Sequence, residues 1–137
     1  MIEERVNDVI GQFGKDVGIE GLCLDERGYC CLFFDDIGIN LEIDEENETL
    51  FLYAYLGDLP KEGERLPLYE TLLDANMFNF SPGGVTIGID TEQNLIALSM
   101  LIPAVALDVR SFTKTMEQII SRVQYWRETI GNLSGCT

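Results

Sequence analysis

The sequence predicts an α+β fold: an antiparallel sheet with helices at both chain ends and one in the middle, in the order α-β-β-β-α-β-β-α. Three observations predict it. Apolar residues recur at steps of three and four in the first and last segments, which is helical spacing. Between them lie short apolar runs, alternating or continuous, as in strands. The links between consecutive runs are short, and only antiparallel strands can be joined that way. Helices at the two chain ends would then cover one face of the sheet.

The first helix is marked by Ile2, Val6, Val9, Ile10, Phe13 and Val17, with Gly18 as its C-terminal cap. Gly11 and Gly14 inside it each lower helix propensity by about 1 kcal/mol against alanine, so this helix depends on packing. Four extended runs follow. Leu22 to Asp25 reads as a short strand, and Asp25-Glu26-Arg27-Gly28 as a tight turn in which Gly28 takes positive φ. Tyr29 to Phe34 is the second run. In the third, Ile37 to Ile43, the residues Ile37, Ile39, Leu41 and Ile43 share one face. Leu50 to Leu56 is apolar on both faces, with Phe51, Tyr53 and Tyr55 opposite Leu50, Leu52, Ala54 and Leu56; it reads as a central strand covered on both sides.

Pro67 suits the first turn of a middle helix that runs through Leu68, Leu72, Leu73 and Ala75 to about Asn76. Ser81-Pro82-Gly83-Gly84 breaks the chain. Val85 to Asp90 and Leu95 to Leu101 form a hairpin around Thr91-Glu92-Gln93-Asn94. Asp108 caps the last helix, Gly131 ends it, and Val109, Phe112, Met116, Ile119, Ile120, Val123, Trp126 and Ile130 form its apolar stripe. Residues 1–131 are expected to form a single domain and 132–137 a short flexible tail. At 137 residues the chain is long enough to bury about two-thirds of its unfolded surface.

Charge narrows the function. Twenty-four acidic residues against nine basic ones leave a net charge of -15, so nucleic acid and anionic membranes are not expected partners. There is no histidine, the residue most used for acid–base work and the commonest metal ligand. Cys23, Cys30, Cys31 and Cys136 form no C-x-x-C pair, and adjacent Cys30 and Cys31 on a strand point to opposite faces. They read as reduced thiols of a cytoplasmic protein. The acidic loop Asp44 to Glu48 fails as a calcium loop: Thr49 stands where glycine is needed, and Tyr55 where a bidentate glutamate is needed. Asp35-Asp36 reads as a solvated turn, and Gly83-Gly84 lacks the lysine and the helix of a phosphate loop. Lys15 and Lys114 read as exposed polar-face residues. No catalytic constellation, metal or cofactor is expected, and the chain does not read as an enzyme. A strongly acidic chain rich in aliphatic and aromatic residues instead fits a protein that keeps apolar surface for another chain.

Phe13-Gly14-Lys15-Asp16-Val17-Gly18 closes an amphipathic opening helix, and Leu24-Asp25-Glu26-Arg27-Gly28-Tyr29-Cys30 leads to Leu32-Phe33-Phe34-Asp35-Asp36. Leu52-Tyr53-Ala54-Tyr55-Leu56-Gly57 precedes Leu59-Pro60, and Leu72-Leu73-Asp74-Ala75-Asn76 precedes Gly83-Gly84 and a strand. Val123 to Trp126-Arg127 lies on the last helix. In this order the segments resemble the class I type III secretion chaperones of Gram-negative bacteria, the Tir chaperone family. The resemblance implies a cytoplasmic homodimer without catalysis that binds the N-terminal segment of a secreted effector in extended form and keeps it soluble and secretion-competent. The alternative on the same fold is a regulator that sequesters a secretion or transcription control partner; a small-molecule sensor is a third reading. For the effector groove the expected residues are Val6, Ile10, Phe13, Leu32 and Phe34, although sequence does not separate groove from core. For the dimer interface they are Leu72, Met77, Phe78, Phe80, Val85, Ile87 and Ile89.

Overall fold

The computed structural model describes residues 1–78 and 84–134, the side chains of 78, 133 and 134 excepted. The predicted chain break at 81–83, Phe80 and Cys136 lie outside the described residues, as do the side chain of Phe78 and residues 135–137 of the expected tail. The elements are α1 (Ile2–Val17), β1 (Tyr29–Phe34), β2 (Ile37–Asp44), β3 (Thr49–Asp58), a 3-10 turn (Glu62–Glu64), α2 (Leu66–Phe78), β4 (Thr86–Asp90), β5 (Leu95–Pro103) and α3 (Val109–Ser134). The five strands form one antiparallel sheet in the order β1-β2-β3-β5-β4. A β-bulge at Leu56 shifts the β3–β5 register between Tyr55 and Gly57. The predicted fold class and element order are those observed.

The core lies between one sheet face and the helices α1 and α3. Leu32, Ile39, Leu41, Leu50, Leu52, Ala54, Ile96 and Leu98 fill it from the strands. Val6, Ile10 and Phe13 of α1 and Phe112, Met116, Ile119 and Val123 of α3 fill it from the helices. Phe13 meets the Phe112 ring edge-to-face at 5.1 Å and the Phe34 ring at 6.2 Å, joining α1, α3 and β1 through three aromatic rings.

Local chemistry explains the ends of the elements. Gly18 adopts φ 86° and its N–H bonds back into the last turn of α1. Gly14 packs against the returning chain: a Cβ there would stand 2.6 Å from the Ile19 carbonyl oxygen and 3.1 Å from the Leu22 Cβ. Its low helix propensity is thus the condition for a close approach. Asp25 Oδ1 accepts the N–H groups of Arg27 and Tyr29 at 2.8 and 3.0 Å, which closes the predicted turn. These bonds, Tyr29's first, hold the Asp25 carboxyl below the usual range. Asp108 caps α3 as expected: its Oδ1 accepts the Ser111 N–H at 2.7 Å, and its own N–H donates to Ser111 Oγ at 3.3 Å.

Three expectations are corrected. Leu22 to Asp25 is not a strand: the segment runs along α1, where Asn7 Oδ1 accepts the Leu24 N–H at 2.8 Å, and only Asp25 bonds toward β1. β3 is covered on one face alone, because α1 and α3 stack on the same side of the sheet; Phe51 is 36% exposed on the other. α3 continues through Gly131 to Ser134. The turn Asp35-Asp36 also has a tertiary partner, since Arg127 Nη1 of α3 stands 3.1 Å from Asp36 Oδ2 and Nη2 donates to its carbonyl at 3.3 Å.

Candidate functional site

Strand alternation sorts the sheet residues into two sets. The inward set is the core. The outward set is Tyr29, Cys31 and Phe33 of β1, Gly38, Asn40 and Glu42 of β2, Phe51, Tyr53 and Tyr55 of β3, Ala97, Ser99 and Leu101 of β5, and Thr86, Gly88 and Asp90 of β4. No described helix lies over this set, and Phe33 and Leu101 are 67% and 64% exposed. Down its middle runs an aromatic row. The Phe51 and Tyr53 rings are 5.3 Å apart, and those of Tyr53 and Tyr55 are 6.0 Å apart at 80°. Tyr53 Oη donates to Glu42 Oε1 at 3.0 Å, and Tyr55 Oη to Asp90 Oδ2 at 2.9 Å. Burial first, and then these carboxylates, push both phenols above their ordinary range. Tyr29 Oη donates to Asn40 Oδ1, whose amide donates to the Tyr53 carbonyl at 3.3 Å, so the buried Asn40 is satisfied.

A second bare surface lies on α2. Leu68 and Leu72 face the core, while Leu66, Leu73 and Met77 stand 66%, 70% and 79% exposed along the opposite side. The steps of seven and four between them make one stripe. Ile89 on the edge strand β4 is 37% exposed.

The residues expected from sequence divide on these facts. Val6, Ile10, Phe13 and Leu32 are all under 5% exposed, and Phe34 is half-buried against Phe13. They are brought together, but as core, because the stripe of α1 turns onto the sheet and α3. Of the expected dimer residues whose side chains are described, Leu72, Val85 and Ile87 are covered within the chain, and Met77 and Ile89 are open. Sequence reasoning missed Leu66 and Leu73 as surface; the signal was present, since α2 is apolar on both sides and one side must be left outside. It also assigned the aromatic row of β3 to the interior.

Among the described residues no group of three or more Cys, Asp or Glu stands close enough to hold a metal. The Cys30 thiol is pushed up to about 11, by burial first and by neighbouring Cys31 next, and so stays protonated and unreactive near neutrality. Lys15 and Lys114 are exposed. No described helix is long and apolar enough to cross a membrane.

Known proteins are similar in sequence and fold. ExsC of Pseudomonas aeruginosa, a transcriptional anti-antiactivator, is 24% identical over 130 residues, which cover 94% of this chain and 88% of ExsC. The crystal structure of the ExsC–ExsE complex matches with TM-score 0.79 and 25% identity, over 92% of this chain and 93% of the other. The HopA1–SchA chaperone–effector complex has a chain of the same fold: TM-score 0.76, 22% identity, 90% of this chain and 93% of that one. The Tir chaperone protein (CesT) family matches residues 8–127, nearly the whole folded unit. With that span, the chain belongs to the Tir chaperone protein (CesT) family.

Proposed function

We propose that this chain is a cytoplasmic chaperone of a Gram-negative bacterium that binds the N-terminal segment of a type III secreted effector in extended form. In that state the effector stays soluble and secretion-competent. The observation that carries this reading is the family match over residues 8–127 on a chain that leaves an aromatic sheet face partly open and an apolar helix stripe exposed. A chain of this fold is found in the HopA1–SchA chaperone–effector complex, and another in the ExoU–SpcU heterodimer of the type III secretion system. An extended segment suits such surfaces: its backbone adds to a sheet edge with little sequence demand, and its side chains enter adjoining hollows.

The working unit in this reading is a homodimer. Met77 and Ile89 of the expected interface are exposed, as are Leu66 and Leu73, while Leu72, Val85 and Ile87 are buried. Phe78 and Phe80 continue the same segment. A two-fold contact lets one stripe cover its own copy. No catalytic step and no cofactor enters this function.

A second reading has its own support. The likeness to ExsC, over 94% of this chain, favours a regulator that sequesters a control protein. Both readings are tested by purifying the chain from its host and identifying by mass spectrometry what accompanies it. A secreted protein captured through its N-terminal segment supports the chaperone. A transcription-control protein in its place supports the regulator, and capture of folded partners alone overturns the chaperone reading.

A further inference from the structure

The outward sheet face is not uniformly apolar. Beside the aromatic row, the register places Ser99 and Thr86 alongside Tyr53, and Ala97 and Gly88 alongside Tyr55. These side chains are small, and a Cβ added at Gly88 would meet nothing within 4 Å. The result is a trough with a tyrosine wall and a low floor, bordered by Glu42, Asp90 and Glu92. Neither Glu42 nor Asp90 is ion-paired among the described residues. Each instead accepts a tyrosine hydroxyl, which draws electron density toward the rings and enriches the faces that line the trough. Arg27 borders a neighbouring hollow together with Tyr29, Glu42 and Ile43.

An electron-rich aromatic wall with unpaired carboxylates at its rim, on a chain of net charge -15, complements a cation. Arginine fits better than lysine, because its flat guanidinium both stacks on a ring and forks onto a carboxylate. We propose that this trough seats an arginine side chain of the extended partner segment, the guanidinium lying against Tyr53 and Tyr55 and pairing with Glu42. The inference rests on the proposed binding of an extended segment and adds to it a requirement for positive charge in that segment. Apolar anchors alone would not meet it.

The test uses the full chain and two short probes, the peptide Ac-Ala-Arg-Ala-Arg-Ala-amide and its counterpart with citrulline for arginine. Citrulline keeps the shape and removes the charge. Binding is followed by NMR at the Tyr53 and Tyr55 ring resonances. The arginine peptide should shift both rings saturably and bind about tenfold more tightly than the citrulline peptide, and E42Q should lose about that factor. Tyr53→Leu, which removes the ring but keeps apolar bulk, should weaken the arginine peptide and leave the citrulline peptide unchanged. Equal affinity for the two peptides would overturn the proposal, as would shifts spread over the whole acidic surface and indifferent to E42Q. Ring shifts that track protein concentration without peptide would assign the face to a second copy and overturn it as well. The peptide result stands apart from cargo capture: if the wild-type chain captures no unfolded segment, the chaperone reading fails while the trough is still decided by the probes.

Discussion

The side-chain amide of Asn76 on α2 pairs with both backbone groups of Ile87 on β4. Its Nδ2 donates to the Ile87 carbonyl at 2.6 Å, and its Oδ1 accepts the Ile87 N–H at 2.9 Å. One side chain thus does at this position what a neighbouring strand would do, and it closes part of the free edge of β4. N76A removes both bonds and leaves two polar groups at a covered position. It should cost about 1–3 kcal/mol in urea unfolding. It should also raise aggregation on standing, read by light scattering. A variant as stable as wild type would mean that water replaces the amide without loss.

The first turn of α1 has no side-chain cap of its own. Glu45, from the acidic loop between β2 and β3, supplies one: its carboxylate accepts the N–H groups of Ile2 and Glu3 at 3.3 and 3.2 Å. Removing a cap costs about 1 kcal/mol. E45A should therefore lower the unfolding midpoint, whereas E46A in the same loop should leave it unchanged. Hydrogen exchange localised to the first turn of α1 in E45A would confirm where the effect lies.

Leu73 and Leu72 are neighbours with opposite fates, 70% and 4% exposed. For the proposed homodimer, light scattering should give twice 15.4 kDa for wild type. L73D or M77D should give a folded monomer, because the charge meets the partner copy and not the core. L72D should unfold, since it buries a carboxylate without a partner. A wild-type monomer at tens of micromolar, an order-of-magnitude working concentration for such dimers, would refute the interface.

Phe13 lies at the junction of α1, α3 and β1, with ring contacts to Phe112 and Phe34. Phe13→Ala should cost about 3–5 kcal/mol, the range for emptying a packed aromatic site. Loss of cargo by this variant would accompany loss of fold. Circular dichroism melting separates this outcome from a groove defect, in which the melting temperature would stay unchanged.

Alkaline pH should weaken the fold in two stages. Burial raises the Cys30 thiol from 9.0 to about 11, so between those values the unfolded chain releases a proton that the folded chain keeps. Stability is thus complete below pH 9 and falls as pH rises toward 11. Tyr29, Tyr53 and Tyr55 are raised from 10.0, each by burial first, and their contribution is lost at higher pH in the same direction. Cys30→Ala should flatten the decline between pH 9 and 10 and leave the steeper decline above it. Urea midpoints taken every half unit of pH would show the difference.

The sequence by itself determined the elements. Helical spacing in α1 and α3, alternation in β2, the Asp25–Gly28 turn and the Asp108 cap are local patterns that can be read from spacing and residue type alone, although α1 needs packing to be stable. The charge of -15 and the ordered segments from Phe13 to Arg127 also carried the family. What needed the tertiary structure was the choice between inside and outside. An apolar stripe is the same whether it meets its own sheet or another chain, so Val6, Ile10, Phe13 and Leu32 read equally well as groove and as core. Stacking α1 and α3 on one sheet face settled that ambiguity: it buried those four residues and left Phe51 exposed and Tyr53 and Tyr55 half-buried, although their strand read as covered on both sides. The contacts from Glu45 to α1, Asn76 to Ile87 and Arg127 to Asp36 join residues far apart in the chain or on separate elements, and no spacing rule reaches them. They follow from where the packed helices bring their ends, which the burial of apolar area decides for the chain as a whole.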